Sequence, residues 1–238
     1  MKQNADKTLT KTKISRLSIA AAASAISLAS IPASADPVTG QIGIASEYLG
    51  KGLGKSDEDL ALFGSVRWQT NGLYASGFAS QAASSKGSDA EVIVAAGYAR
   101  DVGAWSLDGQ VMYREMLNET NGVDSGFFEW QGDVSRDLTD RLSARLRLNY
   151  SPDTYGGGDE AWWTEAQATI TLTSKDKLSV AYGLRRIDNG TDYDAWNIGV
   201  KHKFTSAVAG DLRWYDTDGH TLGSRYEGRL VASLSYSF

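Results

Sequence analysis

Between Arg141 and Tyr150 the side chains alternate without a break. Leu142, Ala144, Leu146, Leu148 and Tyr150 fall on one face, and Arg141, Ser143, Arg145, Arg147 and Asn149 on the other. A helix would scatter these charges around its circumference, whereas a strand separates them. The C-terminal segment repeats the pattern. Tyr226, Gly228, Leu230, Ala232, Leu234, Tyr236 and Phe238 oppose Glu227, Arg229, Val231, Ser233, Ser235 and Ser237. Period two, interrupted by turn residues, runs through the chain from residue 40 onward and predicts an all-β fold.

Twelve strands are expected, at 40–48, 60–69, 73–80, 91–100, 104–114, 125–135, 141–150, 161–172, 178–186, 194–204, 207–216 and 226–238. Strands of about ten residues cross a bilayer when tilted. Their connections alternate in kind. Tight turns such as Asn71-Gly72 and Thr205-Ser206 trade places with longer loops rich in Gly and Asp, at 49–59, 81–90, 115–124, 152–160, 187–193 and 217–225. That rhythm, with both ends on the short-turn side, describes a transmembrane antiparallel up-and-down β-barrel whose first and last strands pair. No loop exceeds about a dozen residues, which argues for passive diffusion without a folded-in constriction loop.

The apolar face carries aromatics at both rims. Tyr48, Tyr113, Phe128, Trp130, Tyr150, Trp162, Trp196, Trp214 and Tyr226 lie toward the long loops. Trp68, Tyr98, Trp105, Phe204, Tyr236 and Phe238 lie toward the short turns. Such girdles match the two bilayer interfaces. The N-terminus reads as an address. Lys2, Lys7, Lys11, Lys13 and Arg16 precede an apolar stretch from Leu17 to Ile31 and a small-residue site ending at Ala35. Residues 1–35 are expected to be a cleaved signal peptide, and 36–238 the barrel domain of an exported, outer-membrane protein.

Composition excludes several classes. A net charge of -5 argues against nucleic acid, and with no Cys there is no thiolate nucleophile or disulfide framework. The 2 His, His202 and His220, make a His-rich metal site improbable, and no cofactor is expected. His220, following Asp216, Asp218 and Gly219 with Ser224 nearby, offers a surface-hydrolase alternative, although Asp-Gly is also ordinary turn chemistry. Asp57-Glu58-Asp59 reads as a solvated loop. The Gly50 to Lys55 run lacks the spacing and the helix of a phosphate loop. The chain is not expected to be an enzyme.

Ser46-Glu47-Tyr48, Lys51-Gly52, Ala61 and Gly72-Leu73-Tyr74 together resemble the opening of TorF-type porins of Gram-negative bacteria, which carry a signal peptide and about 200 residues of barrel. The chain departs from that pattern at Lys51, Gly54 and Leu60. The resemblance implies a porin-like role and brings no substrate with it. A C-terminal Phe238 likewise resembles the signature read by the barrel-assembly machinery. Outer-membrane lipid, lipopolysaccharide and small solutes complete the expected partners.

By parity Arg67, Asp108, Glu129, Asp133, Arg145, Arg147, Glu165, Asp211, Arg213, Glu227 and Arg229 are expected to line the pore, with Arg114, Arg185, Lys201 and Lys203 on the same face. Hairpin symmetry places Arg147 opposite Glu165, Asp133 opposite Arg145 or a near neighbour, Glu129 diagonal to Arg147, and Lys201 opposite Asp211. Opposed charges of this kind prop a lumen. Arg213 and Arg229 are expected to face each other, a costly pair that would attract anions. The resulting expectation is an outer-membrane channel for small solutes with a bias toward anions. The alternatives are a non-conducting structural or adhesive barrel and the hydrolase.

Overall fold

The computed structural model describes residues 38–83, 87–120 and 122–238. The signal peptide expected at 1–35 lies outside them.

Fourteen strands follow in chain order. They are β1 (Val38–Ala45), β2 (Leu49–Gly50), β3 (Leu53–Gly54), β4 (Ala61–Thr70), β5 (Leu73–Gln81), β6 (Ala90–Val102), β7 (Trp105–Leu117), β8 (Gly126–Asp137), β9 (Leu142–Ser151), β10 (Ala161–Thr171), β11 (Asp176–Ile187), β12 (Tyr193–Lys203), β13 (Val208–Thr217) and β14 (Arg229–Ser237). Twelve of them, β1 and β4 to β14, form one closed antiparallel barrel, and β2 and β3 make a separate hairpin within the first loop. The twelve-stranded barrel expected from periodicity is the fold observed. Closure comes where β1 pairs with β14, from Gln41 opposite Ser237 to Ala45 opposite Ser233. A closed sheet leaves no edge to satisfy, as a hydrocarbon environment requires.

Turn chemistry acts where the sequence placed it. Thr70 pairs with Leu73 around Asn71 and Gly72, whose φ values of 48° and 85° suit the tight turn between twisted strands. The outer face is apolar: Leu62, Val66, Val94, Leu146, Val180, Leu212 and Leu230 are all exposed. An apolar surface this continuous is matched by hydrocarbon rather than by water. A tilted aromatic series runs along its long-loop rim, from Tyr113 through Phe128, Trp130 and Tyr150 to Trp162, with ring centroids 4.5–6.4 Å apart.

Two girdle residues are misplaced by strand counting. β1 ends at Ala45, not at 48, because the chain turns inward there, and Tyr48 is buried against Phe78. Tyr226 belongs to a 3-10 turn (Ser224–Tyr226) and meets the Tyr193 ring edge-on at 5.3 Å, so it packs inward rather than toward lipid.

Candidate functional site: the bore and the loop folded into it

The inner face of the barrel carries the ionised side chains. Near the short-turn end, the Arg67 guanidinium lies over the Tyr74 ring at 3.5 Å and approaches Asp108 at 3.8 Å, while the Tyr74 hydroxyl donates to Asp108 at 2.5 Å. At mid-height Arg147 stands opposite both Asp133 on β8 and Glu165 on β10. Its guanidinium takes Asp133 through two bonds, of 2.7 and 2.6 Å, leaving Glu165 to Arg145 at 2.5 Å. Lys201 does face Asp211, but Asp211 is bound by Arg213, which also donates to Asn197 and Ser179.

Three expected placements are corrected. Arg213 stands opposite Val231 and Arg229 opposite Tyr215, so the two arginines are not a facing pair. The last loop forms two 3-10 turns, at His220–Leu222 and Ser224–Tyr226, which delay β14 to Arg229 and shift the register. Glu227 therefore precedes the strand and is exposed, offering its backbone carbonyl to Arg229, whose side chain pairs with Glu47 at 2.6 Å. Glu129 is not diagonal to Arg147. Register brings Trp130 opposite Tyr150, and Glu129 accepts from Asn149 and Ser151 instead.

The largest departure is the first loop, between Ala45 and Ala61, which folds into the bore and overturns the expectation that no loop constricts it. Tyr48 packs against Phe78, Met112 and Met116, Leu49 joins Tyr215 and Val231, and Leu53 rests on Trp163, Tyr193 and Ala195. The β2–β3 hairpin turns through Lys51 and Gly52, both left-handed, with φ of 53° and 85°. At Gly52 a Cβ would lie 2.4 Å from that of Ala195, so the close approach requires glycine. The Tyr193 hydroxyl donates to the Lys51 carbonyl at 3.0 Å and fixes the tip against β12, three strands round the barrel from β1.

Charges clamp the loop. Arg114 binds Glu91 through two nitrogens, at 3.1 and 2.7 Å, and reaches Glu129 at 3.3 Å. Lys55 and the Tyr48 hydroxyl both donate to Glu91 at 2.8 Å, and Lys51 pairs with Glu129. Burial pulls the Lys51 ammonium down to about 7, with Glu129 opposing and Arg185 and Arg114 reinforcing the shift. Burial likewise lowers Lys55 against the pull of Glu91, and raises the Tyr48 phenol well above its ordinary value. Sequence reading missed Glu91, Lys51, Lys55 and Glu47. Parity alone puts Glu91 on the inner face. Tyr48, Leu49 and Leu53, three large apolar residues in a glycine-rich connection, were the signal that this loop is not solvated.

His220 sits on the exterior, with Nε2 2.7 Å from Asp216 rather than bonded to Asp218. Among the described residues no group of three or more His, Asp or Glu converges as a metal site.

Residues 29–234 match the family described as a bacterial protein of unknown function, Gcw_chp. The chain belongs to this family. No curated protein matches it. Among solved structures, this Gcw_chp chain is similar to the NanC porin, at 12% identity and a TM-score of 0.56 over 84% of this chain and 98% of that one. It is also similar to the COG4313 outer membrane channel from Pseudomonas putida F1, at 12% identity and a TM-score of 0.50 over 87% of this chain and 97% of that one. The fold of the Gcw_chp chain is thus that of porin- and channel-like outer-membrane β-barrels.

Proposed function

We propose that the chain is a constricted outer-membrane channel, in line with its resemblance to TorF-type porins, and that it passes small, preferentially anionic solutes by diffusion. The observation that carries this reading is a closed, apolar-sided barrel whose bore is lined with charge and narrowed by its own first loop. Twelve strands stand between barrels filled by side chains and those that leave a wide channel. Preference for anions draws on the short-turn mouth, where Lys177 stands directly opposite Lys201 with Lys203 on the same face. Positive charges gathered at one mouth would draw anions toward it.

The short-turn side faces the periplasm in this reading, and residues 1–35 direct export. Phe238, exposed and hydrogen-bonded through its backbone to Gly40, would be presented to the assembly machinery, while the exposed Asp57-Glu58-Asp59 triplet faces lipopolysaccharide. A second reading, a non-conducting structural barrel, draws on the burial of Glu129, Glu165 and Arg213, all at 1% exposure or less. Planar bilayers separate the two. Discrete conductance steps, with a reversal potential biased toward chloride under a salt gradient, are expected; silence over a wide voltage range would leave the structural barrel standing.

A further inference from the structure

We infer that Arg185 is an anion-binding residue inside the bore, forming with Lys51 a site for the carboxylate or phosphate group of a small solute. The inference rests on the channel reading for its purpose, but its geometry stands apart from that reading. Arg185 lies on the inner face of β11, between Trp163 on β10 and Tyr193 on β12. It is 8% exposed, and its Nη1 is buried without a hydrogen-bond partner. Among the described residues it makes no ion pair, unlike Arg114, Arg145, Arg147, Arg213 and Arg229, each of which holds an acid.

The surroundings do not supply a counter-ion. Glu129, the acid within electrostatic reach of Arg185, is already engaged by Lys51, Arg114, Asn149 and Ser151. Glu91 is engaged by Arg114, Lys55 and Tyr48. Arg185, Arg114, Lys51 and Lys55 thus share two carboxylates, Glu91 and Glu129, and the surplus positive charge falls on the guanidinium that makes no ion pair. An ionised group withdrawn from water and left unpaired is strongly disfavoured. A planar guanidinium with free donors is shaped for two parallel bonds to a carboxylate or phosphate oxygen pair. Tyr193, opposite Arg185, holds the Lys51 carbonyl through its hydroxyl and packs on Tyr226, which brings Lys51 to the same part of the bore, where its ammonium would share the anion. The solute would meet this site beside the tip of the first loop.

The test uses the refolded barrel in a neutral detergent and chloride-free buffer, titrated calorimetrically with inorganic phosphate and, separately, with acetate. Saturable binding is expected, weakened at least tenfold in Arg185→Gln and only partly in Arg185→Lys, which keeps the charge but loses the fork. Arg186→Gln, at the outward-facing neighbour, should bind as the parent does. Because the substitution removes an unpaired buried charge, Arg185→Gln should fold at least as stably as the parent in anion-free buffer. Added phosphate should raise the urea midpoint of the parent and not that of the variant. Absence of binding by the folded parent, or equal binding by Arg185→Gln, would overturn the site. Binding without conductance in bilayers would instead overturn the channel reading and leave the site in place, while conductance without binding would do the reverse.

Discussion

At the long-loop end of the bore, Glu91, Arg114 and Glu129 are buried and tied through Lys51 and Lys55 to a loop far away in sequence. At the short-turn end, Lys177 faces Lys201 across neighbouring strands and Lys203 lies exposed beside them. The first arrangement depends on complementarity, because each buried ion needs a partner to offset its lost hydration. The second tolerates like charges, because water screens them. One end therefore sets the shape of the bore, and the other gathers positive charge where water can reach it.

Removing one charge from each end is the severest way to break this contrast. Arg114→Ala removes the buried cation that Glu91 and Glu129 share, leaving each with one loop lysine, and should cost about 3–5 kcal/mol in urea unfolding from lipid vesicles. Lys201→Ala leaves Asp211 with its Arg213 partner and should cost under about 1 kcal/mol. Equal losses would erase the distinction between the two ends.

Glycine substitutions sharpen the same contrast. Gly52→Val drives a side chain into Ala195 from a backbone already at φ 85°, and should expel the first loop, raising single-channel conductance severalfold and exposing the loop to protease. Gly103, in the tight turn between β6 and β7, also has positive φ, at 62°, but open space around it. Gly103→Val should cost only backbone strain, about 1–2 kcal/mol, with conductance unchanged. If both variants conduct alike, the first loop is not the constriction.

What could be read from sequence divides along the same line. Strand number, inner-face parity and the Lys201–Asp211 and Arg147–Glu165 registers follow from period two and tight turns, both of which are local. The first loop could not be placed that way. Its partners Glu91, Glu129 and Tyr193 lie 36 to 142 residues from it, and no periodicity encodes such contacts. The Arg213–Arg229 pairing failed for a related reason, since hairpin symmetry was counted through a loop that spends its residues on 3-10 turns. Arg185 was placed on the inner face correctly, yet its lack of a partner is visible only once every neighbouring acid has been assigned.

Proton linkage is the gentlest probe of the docked loop, because it leaves every apolar contact intact. A solvated Lys51 keeps its proton up to its ordinary value of 10.5, whereas the docked one keeps it only to about 7. Between those values the undocked loop binds the extra proton, so docking strengthens as pH rises from 7 and weakens as it falls back. Below 7 both forms are protonated and this dependence ends. Lys55 is shifted in the same direction and adds to the effect, while Tyr48, raised well above 10.0, opposes docking only at more alkaline pH. Channel opening, or proteolysis at residues 50–55, should therefore increase as pH is lowered from about 9 to about 7 and level off below that. Lys51→Met should flatten the curve while Glu129 keeps Arg114, Asn149 and Ser151. The short-turn mouth, with no docked segment, gives no reason for opening to vary over this range. A curve that persists unchanged in Lys51→Met would place the titrating group elsewhere and separate the loop from the control of the bore.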